Sequence, residues 1–170
     1  TDFDNDRDLD LYIAKCRIGV DSPTDTRRIN VLFENDGTHK YAEAGEKYGL
    51  KNGHQSWTAE FQDIDNDGDM DCFITNHDYP CQILENDGSG RFKDITAQTG
   101  VNISGYFLQG IMRDFDNDGF VDIITSGPSH FFKNNGNKTF TAQSNSFTDS
   151  NAGSFTTGDL NHDGFIDIYA

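Results

Sequence analysis

Four nine-residue stretches carry most of the chemistry that this chain can offer. Residues 63–71 read Asp63-Ile64-Asp65-Asn66-Asp67-Gly68-Asp69-Met70-Asp71, with carboxylates on alternate residues and glycine at the sixth place. Alternation through a sharp turn aims Asp63, Asp65 and Asp67 at one point, and Asp71, at the ninth place, closes from the far side. The carbonyl of Asp69, at the seventh place, is the fifth expected donor. Hard oxygen donors converging in this way suit Ca²⁺, which takes about 6–8 of them.

The pattern occurs three more times, at residues 2–10, 114–122 and 159–167. The corresponding side-chain donors are Asp2, Asp4, Asp6 and Asp10 in the first loop, with the carbonyl of Asp8. The third loop offers Asp114, Asp116, Asp118 and Asp122 with the carbonyl of Phe120. The fourth offers Asp159, Asn161, Asp163 and Asp167 with the carbonyl of Phe165. Gly68, Gly119 and Gly164 fit a positive-φ bend that a Cβ disfavours. Arg7 replaces that glycine in the first loop, and Asn161 replaces a charged ligand in the fourth. The second and third sites are therefore expected to bind most tightly.

An EF-hand loop starts alike but needs Glu at its twelfth place. Here that place holds Ile13, Ile74, Thr125 and Ala170. The loops also feed strand-like runs rather than helices.

The elements that must position these loops recur with them. Successive motifs start 61, 51 and 45 residues apart. In the third unit, strands are predicted over residues 106–112, 120–126, 130–134 and 138–141. In the second they fall over 56–62, 70–76, 82–85 and 91–94. The first unit keeps 9–15, 30–33 and 39–42, and the fourth stops after 165–169. Asn-Gly and Asp-Gly pairs (Asp36-Gly37, Asp87-Gly88, Asn135-Gly136) mark hairpin turns, where both central residues need φ > 0. Residues 41–48 hold a few helix formers but are too short to stand alone as a helix. Residues 17–28, polar and rich in Ser, Pro, Thr and Asp, are expected to form an exposed loop.

Repeated four-stranded units of this size predict an all-β fold, a β-propeller with a calcium loop in each blade. About thirteen strands give a partial propeller of three to four blades, in units of roughly 1–50, 51–101, 102–148 and 149–170. Both terminal units contain the strand after the loop, so they cannot merge into one blade. The chain also opens at Thr1, inside a motif and without Met. It is expected to be a mature or excised piece whose ring is closed by further blades of the same protein or by an oligomer.

Composition bounds the function. The net charge is −16, from 29 acidic and 13 basic residues, and the four motifs hold 17 of the acidic ones. Four bound Ca²⁺ ions, two charges each, would halve it. Such acidity argues against a nucleic-acid partner, which needs a basic footprint. No apolar run is long enough to span a membrane. Cys16, Cys72 and Cys81 fit no zinc spacing. Cys72 and Cys81 flank a short connection and could pair across a hairpin or stay as buried thiols. His39, His54, His77, His130 and His162 fall in turns, loops or strand starts, none pairs at metal-ligand spacing, and no nucleophile motif is present. The chain is expected not to be an enzyme. Trp57, the only tryptophan, is expected to pack between blades, the alternative being a ligand-stacking ring on the rim. Asn102-Ile103-Ser104 and Asn137-Lys138-Thr139 fit the glycosylation sequon.

The Asp-x-Asp-x-Asp-Gly-x-x-Asp motifs at blade-sized intervals resemble the FG-GAP/VCBS repeats of integrin-α-type propellers. The frame Ile83-Leu84-Glu85-Asn86-Asp87-Gly88, then Phe92-Lys93-Asp94-Ile95-Thr96 and Gly100-Val101, is most similar to repeats of the ASPIC/UnbV, cartilage-acidic-protein-like group. The resemblance implies a secreted or cell-surface, calcium-stabilised propeller that binds a protein or glycan ligand through its loops. Adhesion or protein recognition is the leading expectation. A lectin-like propeller and an accessory propeller of a larger secreted enzyme are the alternatives.

Overall fold

The computed structural model describes residues 1–20, 24–144 and 153–170. Among these residues thirteen strands fall into four antiparallel sheets, each built in chain order. The first sheet has three strands, β1 (Leu11–Ile13), β2 (Val31–Asn35) and β3 (Tyr41–Glu43). The second has four: β4 (Ser56–Gln62), β5 (Asp71–Asn76), β6 (Gln82–Asn86) and β7 (Phe92–Asp94). The third repeats it with β8 (Gln109–Arg113), β9 (Asp122–Ser126), β10 (His130–Asn134) and β11 (Phe140–Gln143). The last pairs β12 (Thr156–Gly158) with β13 (Asp167–Tyr169). These are blades of a partial β-propeller, as the repeat spacing predicts.

Strand periodicity explains how the blades stack. Side chains alternate between faces, so β5 sends Cys72 and Ile74 to one side and Phe73 to the other. Cys72 and Ile74 join Phe3, Leu32, Leu50 and Phe92 in the core between the first and second blades. Phe73 joins Met112, Ile123 and Phe132 in the core between the second and third. A smaller cluster of Ile111, Ile124 and Phe155 begins the next interface. Strands β4 and β8 of adjacent blades are also tied directly, by Gly110 N donating to Thr58 Oγ1 at 3.0 Å and Arg113 Nη1 to Glu60 Oε1 at 2.6 Å.

Alternation also decides the cysteines. Cys72 lies in the first of these cores and Cys81 in the second, so the blade itself separates them, and all three cysteines are free. Two one-turn helices depart from the sequence expectation: α1 (Gly45–Tyr48) follows β3, and α2 (Thr96–Thr99) follows β7. Each ends at a left-handed glycine, Gly49 or Gly100, and a Cβ there would come within 2.5 or 2.8 Å of the carbonyl oxygen of Phe92 or Phe140 in the next blade's outer strand. The two helical turns are thus held by packing on the neighbouring blade.

The insertion at residues 17–28 is only partly the exposed loop expected of it; its residues 21–23 lie outside the described residues. Val20 and Arg28 are buried, and the Arg28 guanidinium bonds the carbonyl of Val20 and pairs with Asp78. A buried cation without such partners would be costly, and these contacts fold the insertion back onto the second blade. Among the described residues no helix is long and apolar enough to cross a membrane.

Candidate metal centre

The second, third and fourth nonapeptides each connect the first two strands of their sheet, while the first leads into β1, and each loop's backbone is shaped by its own carboxylates. The first-place aspartate accepts from the N–H groups at the fifth and sixth places. Asp63 takes Asp67 N at 3.2 Å and Gly68 N at 2.9 Å, and Asp114 takes Asp118 N and Gly119 N at the same distances. Asp159 does likewise with Asp163 N and Gly164 N at 3.1 and 3.0 Å. In the first loop Asp2 accepts from Arg7 N at 3.1 Å. The sixth-place residue is left-handed throughout: Gly68, Gly119 and Gly164 have φ of 97°, 92° and 87°, and Arg7 takes 75° despite its Cβ.

The ninth-place carboxylate points inward. Asp71 accepts from Ile64 N at 3.1 Å and from Asn86 N, at the end of β6, at 2.8 Å. Asp122 repeats this with Phe115 N and Asn134 N, and Asp10 with Phe3 N and Asn35 N. Burial pushes the carboxyl of Asp71 up to about 7 and also raises those of Asp122 and Asp10. Asp67 is raised by burial and by its neighbours Asp65, Asp69 and Asp63, and Asp4 by burial and then by Asp6 and Asp10. In the first and second loops neighbouring carboxylates thus add to the effect of burial, whereas in the third the Lys133 ammonium holds Asp118 down.

Carboxylate oxygens converge within 4.8 Å of one another at three loops, in the groups Asp2–Asp4–Asp6, Asp63–Asp65–Asp71 and Asp114–Asp116–Asp122. The donors are all oxygens, the set that hard divalent cations require. In the first loop Asp2 Oδ1 and Asp4 Oδ1 are buried with no hydrogen-bond partner, a costly state for a carboxylate that a cation would relieve. Both observations fit a metal ion held by the side chains at places one, three, five and nine. The seventh-place side chains turn elsewhere. A Cβ on the turn residues Gly37, Gly88 and Gly136 would lie 2.7–2.8 Å from the side chains of Asp8, Asp69 and Phe120. Asp69 Oδ1 also accepts from Asn5. That leaves the backbone carbonyl as the seventh-place donor.

The fourth loop differs. Asn161 donates to Asp163 Oδ2 at 3.0 Å and accepts from Asp163 N at 2.9 Å, while Asp167 accepts from Leu160 N at 2.9 Å. Its amide thus binds a neighbouring loop residue, and no third carboxylate joins Asp159 and Asp163 at that place.

Sequence reasoning passed over the residues that join one loop to the next. At the fourth place, with φ near 60°, Asn5, Asn66 and Asn117 donate to the carbonyls of Gly68, Gly119 and Gly164 at 3.3, 2.9 and 2.8 Å. In the opposite direction Asn86 and Asn134 each donate to the second-place carbonyl of the preceding loop, Phe3 or Ile64, at 2.8 Å. The available signal was an asparagine at the fourth place of three motifs and another closing β2, β6 and β10. Two lysines were also missed. Lys133 pairs with Asp116 and Asp118, and Lys138 with Asp65 and Glu85.

At the other end of the second blade, aromatic rings gather. His54 stacks on Tyr79 with centroids 3.8 Å apart, and Trp57 on His77 at 4.6 Å, with Tyr106 edge-on to His77 at 5.1 Å. Trp57, Tyr79 and Tyr106 are 42%, 44% and 74% exposed, so Trp57 is a rim residue rather than one packed between blades.

The model of an FG-GAP-like repeat matches three overlapping stretches, residues 2–74, 63–125 and 114–170. Each match begins at the first place of a nonapeptide and runs into the following unit. No curated protein gives a significant match to the chain.

Proposed function

Because the chain belongs to the FG-GAP-like repeat family, we propose that it is part of a calcium-binding β-propeller that serves outside the cell in adhesion or protein recognition. Calcium is mainly structural in this reading, and the relation to the ASPIC/UnbV and integrin-α propellers is part of the proposal. The carrying observation is the convergence of three carboxylates at each of three loops that lie on the seams between blades. A cation there would neutralise the loop and brace the hairpin that the ninth-place aspartate already ties to the next strand.

Thermal unfolding of the chain in EDTA and across a calcium titration, with magnesium as control, tests this. If calcium binds only the folded state, each independent site adds about 2.7 kcal/mol at 100 times its dissociation constant. A calcium-selective rise that shrinks in Asp65→Ala and Asp116→Ala is expected. A folded sample that ignores calcium would overturn the reading.

A carbohydrate ligand is the second reading, favoured by the exposed ring cluster of Trp57, Tyr79 and Tyr106. Exposed aromatic faces stack on sugars and also anchor protein partners. Glycan-array binding that is lost in Trp57→Ala would select the sugar. Catalysis is no part of either reading.

A further inference from the structure

We propose that Lys133 and Lys138 are resident counter-cations of the third and second loops. Each steadies its loop when no divalent cation is bound, and each lowers that loop's affinity for one. The inference rests on the reading of the loops as cation sites.

Both ammonium groups grip the carboxylate at the third place. Lys133 Nζ pairs with Asp116 and lies 3.0 Å from Asp118 Oδ2; Lys138 Nζ lies 2.5 Å from Asp65 Oδ2 and also pairs with Glu85. They arrive from positions that are not equivalent. Lys133 stands in β10, one residue before the asparagine that holds the ninth-place carboxylate, where the first and second blades have Glu34 and Glu85. Lys138 belongs to the hairpin turn of the third blade and reaches back across the seam to the second loop. Its counterpart in the second blade is Gly90, and a Cβ there would lie 3.0 Å from Phe3 Cε2 and 3.1 Å from Asp4 Cβ of the first loop. Both turn positions are left-handed, with φ of 64° and 77°. Two different places in the repeat thus each deliver one lysine to the same carboxylate of a loop. The first loop receives none from either place, having Glu34 and Gly90 there.

A divalent ion coordinated by Asp65 or Asp116 must share or displace the ammonium on that oxygen, and like charges at such distances repel. Displacement is sterically open, because the side chains of Lys133 and Lys138 remain 36% and 41% exposed. The lysines would then set the calcium range over which the two loops fill. They would also limit the repulsion within each loop while it is empty.

The test uses the 170-residue chain with Lys133→Met and Lys138→Met, singly and together. Lys51→Met, whose lysine pairs with Glu46, serves as the control for the change in net charge. Calcium affinity is read by isothermal titration and the melting temperature is read in EDTA. Each loop variant should bind calcium on the order of tenfold tighter at one site. It should also melt roughly 1–3 °C lower in EDTA. Adding Asp116→Ala to Lys133→Met should abolish the tightened site. Opposite signs in the two readouts are the signature, since a lysine that only stabilises the fold moves the melting temperature alone. Unchanged affinity in variants of a calcium-binding chain would overturn the role of the lysines. A folded wild-type chain that binds no calcium would instead overturn the site reading and this inference with it.

Discussion

The third and fourth units carry nearly the same strand after the loop, and the structure buries it in one and leaves it partly exposed in the other. In β5 and β9 every residue is buried, whereas β13 is half-buried at Asp167 and exposed at Ile168 and Tyr169. Ile123 in β9 and Ile168 in β13 each follow the ninth-place aspartate directly, yet one is fully buried and the other 38% exposed. The first unit is intermediate, with Leu11 and Ile13 exposed in β1 and Tyr12 held by its hydroxyl, which donates to Leu50 O at 3.0 Å. Local sequence makes the strand, and a neighbouring blade on each side makes it core. In a repeat architecture stability is a sum of such seams.

Cutting the same side chain at the two positions gives the largest expected contrast. Ile123→Ala should cost about 2–5 kcal/mol, the range for a buried aliphatic truncation. Ile168→Ala should cost less, about 1–2 kcal/mol, because over a third of that side chain is already exposed. Urea unfolding of both variants measures the difference, and equal losses would mean that the fourth sheet is as well packed as the third.

Next in size is a test of how closely the inner seam is packed. A Cβ on Gly110 would lie 2.5 Å from Phe73 Cε1 and 3.0 Å from Thr75 Cγ2, whereas one on Gly158 in the fourth sheet meets nothing within 4 Å. Gly110→Ala should therefore cost about 1–3 kcal/mol through overpacking. Gly158→Ala should be neutral or slightly stabilising by lowering the entropy of the unfolded chain. A neutral Gly110→Ala would show that the seam between β5 and β8 relaxes freely.

The inter-loop asparagines allow a smaller version of the comparison. Asn66→Ala removes the bond to Gly119 O and leaves an alanine at a φ of 61°, for an expected loss of about 1–2 kcal/mol. His162, at the corresponding place of the fourth loop with φ 62°, should lose less on the same change. Melting curves of the two variants decide the matter, and a larger loss at His162 would contradict the ordering.

Much of this was legible in the chain because each repeat restates it. The Asp-alternating loops, the strand that follows each and the Asn-Gly and Asp-Gly turns are local signals, and the sheets follow them. Strand β8 begins at Gln109, three residues later than the alternation suggested, since exposed Tyr106 belongs to the ring cluster on the rim. What escaped the sequence is what lies between repeats. The helical turns after β3 and β7 have almost no propensity of their own and depend on contact with the next blade. Arg28 reads as a loop cation until its partners Val20 and Asp78 are placed around it. Lys133 and Lys138 read as ordinary surface lysines because their carboxylates lie 17 and 73 positions away in the chain.

The smallest expected effect concerns Arg7, where the first loop departs from the second at the sixth place. Gly68 adopts a φ of 97° and a Cβ there would meet nothing within 4 Å, so backbone conformation rather than space favours glycine. Arg7 takes the same bend at 75° and carries a Cβ through it, at a strain of about 1–2 kcal/mol. Glycine would remove the strain but loosen the unfolded chain by about 0.5–1 kcal/mol, leaving a net gain near 0.5–1 kcal/mol. The guanidinium complicates a single substitution, since it also offsets the charge of the loop. Comparing Arg7→Gly with Arg7→Ala removes that term, because both lose the charge and only alanine keeps the Cβ. Arg7→Gly should melt roughly 1–3 °C above Arg7→Ala, in EDTA and in calcium alike. Equal melting temperatures would mean that the first loop relaxes its bend when the glycine is absent, and that it resembles the second loop in sequence more than in backbone.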